Sequence, residues 1–329
     1  MKSNNNNLIK RNIEGLSCDF GDFWIDPKRP VKKALITHAH FDHISFGCDE
    51  YICSPETANL LKERIGNKIK VKSYGYDEIF KINGIKISFY PSGHILGSSQ
   101  IRLEGANEKW LITGDFKRQR DKTCLNYQEI KTDYLICEST FALPIFNWDE
   151  TTKIIDQIVD WVNKSPNITS ILFCYSLGKA QRLLGELKNK NIKKIYVHPN
   201  IKKINDIYKK EGIILKEARM IDKEIKLKDY HGSLVLMPAS QNKYNLLKRF
   251  GDYQTAFASG WMSIRAFKNR SGYDKGFVIS DHADWNGLIK TIKNSEAKKV
   301  FLDHGDGESL AKYLSIEENI DIESFKTKQ

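Results

Sequence analysis

Four potential metal ligands fall within six residues in the run Thr37-His38-Ala39-His40-Phe41-Asp42-His43, which holds three of the chain's eight histidines. Imidazole nitrogen and carboxylate oxygen are the donors that zinc and similar ions take. Ionisable groups packed this densely at the end of an apolar strand cost free energy unless a cation compensates them, so the run reads as a metal site. Residues 31–36 before it alternate and then turn apolar, the pattern of a strand entering a core. Continued through His40, that strand puts His38 and His40 on one side. A turn at Phe41 then swings Asp42 and His43 to an adjacent point, a spacing that suits two ions side by side.

The same arrangement recurs along the chain. Residues 16–25 read as a strand ending at Asp26-Pro27, which leaves Asp26 either at a site or simply opening a turn. Residues 79–82 and 85–90 flank Asn83-Gly84, a hairpin signal, and the second strand delivers His94 on a glycine-bracketed turn. Strands over 109–113 and 134–137 end at Asp115 and Glu138; strands over 276–279 and 300–303 end at His282 and His304. Asp26, the histidine run, His94, Asp115 and Glu138 are expected to converge on one edge of a sheet. A helix is expected over 55–64, with Pro55 in its first turn.

Between residues 148 and 260 strands alternate with helices, which implies parallel pairing with helices covering the sheet. Strands are expected at 170–174, 194–197, 233–237 and 255–258, and a helix at 242–250. The expected organisation is a flexible leader (1–15), one domain from 16–147 and 261–329, and an inserted domain over 148–260. The class is α/β.

At 329 residues, 40% hydrophobic and 28% charged, the composition is that of a soluble globular protein. No apolar run reaches the length of a membrane span, and the start of the chain lacks the apolar stretch of a secretory signal, so a cytoplasmic location without membrane association is expected. The six cysteines are scattered and read as reduced, buried residues. A net charge of +11 favours a polyanionic partner.

The segments HAHFDH, GHILGS, TGDFK, CESTF, SDHADW and DHG, in this order over residues 16–306, resemble the metallo-β-lactamase-fold nucleases that carry a β-CASP domain. LGKAQRLL and ASGWM resemble the bacterial branch of ligase-associated DNA exonucleases. The resemblance implies an αββα sandwich with an inserted β-CASP-like domain and two divalent metal ions, zinc before manganese. It implies one ion on His38, His40 and His94, the other on Asp42, His43 and His304, and Asp115 bridging. Asp26 would orient the histidine loop, and His282, held by Glu138, would protonate the leaving oxygen. The implied partner is nucleic acid, DNA before RNA, with a DNA ligase and a helicase as functional associates. An RNA nuclease of the same fold is the alternative, and a small-ester hydrolase a more distant one. Lys179 and Arg182 at a helix start are candidate phosphate contacts, Trp261 and Arg265 candidate contacts to single-stranded nucleic acid. His198 and His231 lie outside these motifs.

Overall fold

The computed structural model describes residues 8–222, 226–242, 247–270 and 272–323. The chain divides into two compact units. One comprises Met1–Arg120, Cys124–Leu143 and His282–Gln329; the other comprises Asp121–Thr123 and Pro144–Asp281. The last segment of the first unit therefore starts at His282 rather than at 261. The reason lies in the strand Lys275–Phe277, which pairs in parallel with Tyr253–Ala258 and so belongs to the inserted sheet.

In the first unit, one sheet has six strands in sequential order: β1 (Lys10–Asn12), β2 (Gly15–Cys18), β3 (Phe23–Ile25), β4 (Lys33–Leu35), β5 (Glu50–Cys53) and β6 (Val71–Ser73). Part of the expected leader is thus structured, with β1 paired to β2 and Leu8 and Ile9 buried; residues 1–7 lie outside the described residues. The strand expected over 16–25 is instead the antiparallel pair β2–β3, folded at Asp19–Asp22, where Asp22 has φ 53°. The facing sheet contains β7 (Phe80–Ile82), β8 (Ile85–Pro91), β9 (Ser99–Gly105), β10 (Glu108–Ile112), β11 (Tyr134–Glu138), β18 (Lys299–Asp303) and β19 (Ile322–Glu323), in the order β19-β18-β11-β10-β9-β8-β7. Asn83 and Gly84 both take positive φ and close the β7–β8 hairpin.

Side-chain alternation explains why both sheets are needed. Trp110, Ile112, Ile136 and Phe301 point inward, where they meet Leu16, Ile25, Leu35 and Ile52 of the opposite sheet. Their neighbours Leu111, Leu135, Cys137 and Val300 point outward against Trp285, Leu288, Ile292, Leu310 and Leu314, on the helices Trp285–Asn294 and Glu308–Glu317. The central strands are buried on both faces, so they read as continuous apolar runs rather than as alternating ones. This is the mixed α/β metallo-β-lactamase sandwich.

The second unit is an all-parallel sheet of β12 (Thr169–Cys174), β13 (Ile195–Val197), β14 (Arg219–Met220), β15 (Leu234–Pro238), β16 (Tyr253–Ala258) and β17 (Lys275–Phe277), ordered β14-β13-β15-β12-β16-β17. Three of its helices are α2 (Thr151–Asn163), α3 (Lys179–Glu186) and α4 (Pro199–Lys210). In the helix expected over 242–250, residues 243–246 lie outside the described residues and Lys248–Phe250 form a 3-10 turn. No helix among the described residues is long and apolar enough to cross a membrane.

Helix α1 (Pro55–Ile65) is started by Ser54, whose Oγ accepts from Thr57 N at 3.2 Å. Ser54 Oγ and Thr57 Oγ1 both donate to the Gly97 carbonyl, at 2.6 and 2.8 Å, tying the helix to the loop that follows His94. Gly97 has φ +75°, and a Cβ built there would lie 2.5 Å from Thr57 N. We predict that Gly97→Ala, which meets backbone and a disfavoured φ together, lowers stability by about 1–3 kcal/mol or more, read as a fall in the denaturant midpoint. An unchanged midpoint would contradict this account of the loop.

Candidate metal centre

Strand β4 stops at Leu35, so His38 and His40 do not sit on a continued strand as expected. They lie in the loop beyond it, and a 3-10 turn over Phe41–His43 then turns His43 into the interior while Phe41 and Asp42 face outward. His94 follows β8 on a turn in which Ser98 Oγ accepts from His94 N at 3.2 Å and Ile95 N at 3.1 Å. Gly114, with φ +54°, packs so closely on Thr37 that a Cβ would lie 2.7 Å from the Thr37 Cβ, and Asp115 comes next. Glu138 ends β11 and His304 follows β18, so the site residues arrive from both sheets rather than along one edge.

These residues meet. His38 Nε2 and His94 Nε2 each lie 3.1 Å from His40 Nδ1. Asp115 Oδ2 lies 3.5 Å from His38 Nε2 and 3.7 Å from His94 Nε2, and Asp115 Oδ1 lies 3.4 Å from His43 Nε2. His38, His40, His94 and Asp115 form one group of donor atoms within 4.8 Å of one another; His43, Asp115 and His304 form a second, joined through Asp115. The His43 and His304 rings stack at 4.5 Å. Asp42 is outside both groups: its carboxylate is exposed, with Oδ2 at 3.8 Å from His43 Nε2.

The donor set fits a cation. One N–H on His40 Nδ1 can serve only one of its two imidazole neighbours, so the two 3.1 Å contacts cannot both be hydrogen bonds donated by His40. His43 Nε2 and Asp115 Oδ1 are buried with no hydrogen-bond partner, a cost that buried polar atoms ordinarily avoid. Nitrogen and carboxylate donors in this arrangement are able to bind metal ions.

The electrostatics carry the same tension. Burial, and then the positive charge of His43, push the pKa of His38 well below the usual imidazole value. Burial also opposes charge on His43, but the Asp115 and Asp26 carboxylates outweigh it and hold His43 well above that value. For Asp115 burial is outweighed in turn by His43 and His282, which keep its carboxyl well below the usual range.

Asp26 braces the histidine loop. Its Oδ1 accepts from Thr37 N at 2.8 Å, and its Oδ2 accepts from Thr37 Oγ1 at 2.6 Å and faces His43 Nδ1 at 2.7 Å. Beside the cluster, His282 Nδ1 lies 2.8 Å from Glu138 Oε2, and His282 Nε2 lies 3.8 Å from Asp115 Oδ2. Glu138 is itself fixed, with Oε1 accepting from Phe116 N and Oε2 from Thr140 Oγ1, both at 2.6 Å.

Four supporting residues escaped the sequence reading. Thr37, Ser98 and Thr140 act by local hydrogen bonding, and no spacing marks them. Lys117 is buried, with Nζ donating to the His94 carbonyl at 3.2 Å, a position foreshadowed only by a lysine after an apolar strand end.

In the second unit, Lys179 and Arg182 are interior residues rather than surface cations. Lys179 Nζ lies 3.0 Å from Asp281 Oδ2; Arg182 donates to the Ser280 carbonyl and, at 2.6 Å, to Thr151 Oγ1. The expected contact of these two with a phosphate is corrected to a packing role, because a helix-start cation here finds its carboxylate inside the unit. Trp261 is half-buried, edge-to-face with Phe146 at 5.5 Å, whereas Arg265 is exposed. His198 caps α4, its Nδ1 accepting from Asn200 N at 3.2 Å. None of the six cysteines is in a disulfide.

A metallo-β-lactamase sandwich with a buried His/Asp cluster and an added parallel α/β unit defines the class of protein. No family model matches the chain. It is 29% identical over 297 residues to a protein of Opitutus terrae named "Probable DNA ligase", an alignment covering 89% of this chain and 28% of that one. It is 25% identical to an RNase J-like protein of Methanocaldococcus jannaschii, covering 94% of this chain and 90% of that one. Over 123 residues it is 33% identical to the endoribonuclease YSH1 of Yarrowia lipolytica, covering 35% of this chain and 14% of the endoribonuclease. The chain therefore spans less than a third of the ligase and about a seventh of the endoribonuclease. A crystal structure of a protein of unknown function from Enterococcus faecalis V583 shares the fold, with a TM-score of 0.60 over 90% of this chain and 79% of that one at 14% identity. Together the relatives support the metallo-β-lactamase/β-CASP nuclease superfamily.

Asp26 sits at φ 44°, a region that asparagine tolerates, so Asp26→Asn changes charge with little change in backbone. Loss of this carboxylate is predicted to weaken metal binding by about 10–100-fold in a calorimetric titration, with the far-ultraviolet circular dichroism retained. Equal affinities would remove Asp26 from the support of the site.

Proposed function

We propose that the protein is a metal-dependent nuclease that hydrolyses phosphodiester bonds, acting on DNA as an exonuclease in repair. The observation that carries the hydrolytic reading is the pairing of His282 with Glu138 at 2.8 Å, its other nitrogen turned toward Asp115 of the histidine cluster. In this reading His38, His40, His94 and Asp115 hold one divalent ion, and His43, Asp115 and His304, with Asp42 beside them, hold a second. Zinc suits the nitrogen-rich set, with manganese as a substitute. Ions held there would acidify the attacking water and neutralise the non-bridging phosphate oxygens.

The chain's own residues supply the proton. Glu138 accepts from His282 Nδ1 and fixes the ring, so that Nε2 faces the cluster. As the P–O bond breaks, the Nε2 proton passes to the leaving 3′ oxygen, which departs as a hydroxyl. Asp26 keeps His43 oriented through Nδ1. Trp261 and Arg265 would contact a single strand.

The preference for DNA is supported by the alignment with the protein named "Probable DNA ligase", which runs over 89% of this chain. Functional association with a DNA ligase draws on the same alignment, and a helicase in the same repair step is the further associate of this reading. Action on RNA is the second reading, favoured by the RNase J-like and endoribonuclease relatives. Matched labelled DNA and RNA with either end blocked separate the readings: cleavage of DNA that stops when one end is blocked supports the proposal, and cleavage of RNA alone overturns the DNA assignment.

Two substitutions probe the roles. Asp115→Asn is predicted to abolish cleavage while leaving the fold largely intact; normal turnover at defined metal occupancy would sink the assignment. His282→Ala is predicted to slow an ordinary phosphodiester by about 10²–10⁴-fold and a substrate with a nitrophenolate leaving group far less. Equal losses on both would make His282 a phosphate-positioning residue instead.

A further inference from the structure

We infer that Phe41, Phe46 and Arg64 form a binding site for one unpaired nucleotide of the strand being cut, its base stacked on the phenyl rings and its phosphate on the guanidinium. This rests on the nuclease reading for the identity of the ligand. Phe41 stands between His40 and Asp42 in the ligand loop, and the 3-10 turn that sends His43 inward sends Phe41 out. Its side chain is 54% exposed, and Phe46 beside it is 58% exposed. The two rings are close to parallel, at 22° and 6.1 Å between centroids. Two aromatic side chains are thus held together in water at the edge of the metal cluster.

Arg64 supplies the charge. Its guanidinium carbon lies 3.7 Å from the Phe41 ring centroid, so it uses its flat face on the ring and leaves its N–H edge for an anion. Its Nε is buried without a hydrogen-bond partner, and among the described residues no carboxylate forms an ion pair with it. Burial lowers its pKa to about 10 against the counter-pull of Asp42, which leaves it cationic at neutral pH. A half-buried arginine lying flat on an exposed aromatic suits a nucleotide, because every base offers a π-face and every link a phosphate. Two phenyl rings and one guanidinium are far too small for a stable protein interface, which buries roughly 800 Å² on each partner. An unpaired base is therefore the occupant, and duplex ends that cannot splay are poor ligands.

The test uses the full chain and short single-stranded DNA and RNA oligonucleotides carrying 2-aminopurine at successive positions. For the wild type, fluorescence is expected to change on binding when the probe occupies one position. Phe41→Ala is expected to abolish that change and weaken binding by about tenfold, whereas Phe41→Trp restores both. Arg64→Gln is expected to keep the fluorescence change while lowering the slope of log affinity against log salt by about 1. If Phe41→Ala does not fold, Phe46→Ala gives the same reading. Wild-type fluorescence and affinity in both alanine variants, or no binding by the wild type, overturns the inference. Cleavage of the same oligonucleotides keeps the two proposals apart. Binding with the position-specific signal but no cleavage overturns the nuclease reading and leaves the nucleotide site standing. Cleavage that the alanine variants do not alter, with wild-type binding, overturns the site and leaves the nuclease.

Discussion

Three imidazoles that cannot all hydrogen-bond to one another are the constraint on which the first unit depends. His38 and His94 both approach His40 Nδ1 at 3.1 Å, and one nitrogen cannot donate to one neighbour and accept from the other at once. The Asp115 carboxylate lies behind them, with Oδ1 buried, 3.4 Å from His43 Nε2 and without a hydrogen bond. Rings held in such contact would separate in solution, so the surrounding structure must hold them until a cation resolves the conflict. That is the physical content of a preorganised metal site: its polar atoms are matched to the ion rather than to each other.

The scaffold does this by bringing strand ends from two sheets to one place and locking each end with a short-range device. Asp26 clamps Thr37 and His43, Ser98 clamps the backbone at His94, and Phe116 N with Thr140 clamps Glu138. Close backbone approach finishes the job at two glycines. Besides Gly97, Gly305 takes φ +140°, and a Cβ there would lie 2.3 Å from the Ser139 carbonyl, so the chain after His304 can rest against the end of β11 only with glycine. The second unit solves a separate problem in its own interior, where Lys179 and Arg182 meet Asp281, in the segment that follows its last strand. These cations come with a matching carboxylate, as buried charges must.

Much of this was legible from residue order. His38, His40, His43, His94, Asp115, Glu138, His282 and His304 all stand at strand ends or just beyond them, because an apolar run closed by a polar cluster marks where a buried strand meets a site. The alternating strands and helices of the second unit were legible for the same reason. Length was less so: β4 ends at Leu35 because the histidines need loop geometry, which periodicity cannot register. The boundary near residue 261 was missed because 275–277 is a short strand whose partner, Ala256–Ala258, is fixed by tertiary pairing. Lys179 and Arg182 look like phosphate contacts because a helix start reads alike whether it faces water or a buried aspartate. Thr37, Thr140 and Lys117 leave little pattern, since their roles rest on particular hydrogen bonds to Asp26, Glu138 and the His94 carbonyl rather than on a spacing.

The central claim is that cations complete the cluster, and diffraction from crystals grown with zinc, recorded on either side of its absorption edge, tests it most directly. The account predicts anomalous density among His38, His40, His94 and Asp115 and a second peak among His43, Asp115 and His304, with the side chains close to the positions described. Absence of both peaks at full zinc occupancy elsewhere in the crystal, with the imidazoles still facing one another, would contradict it.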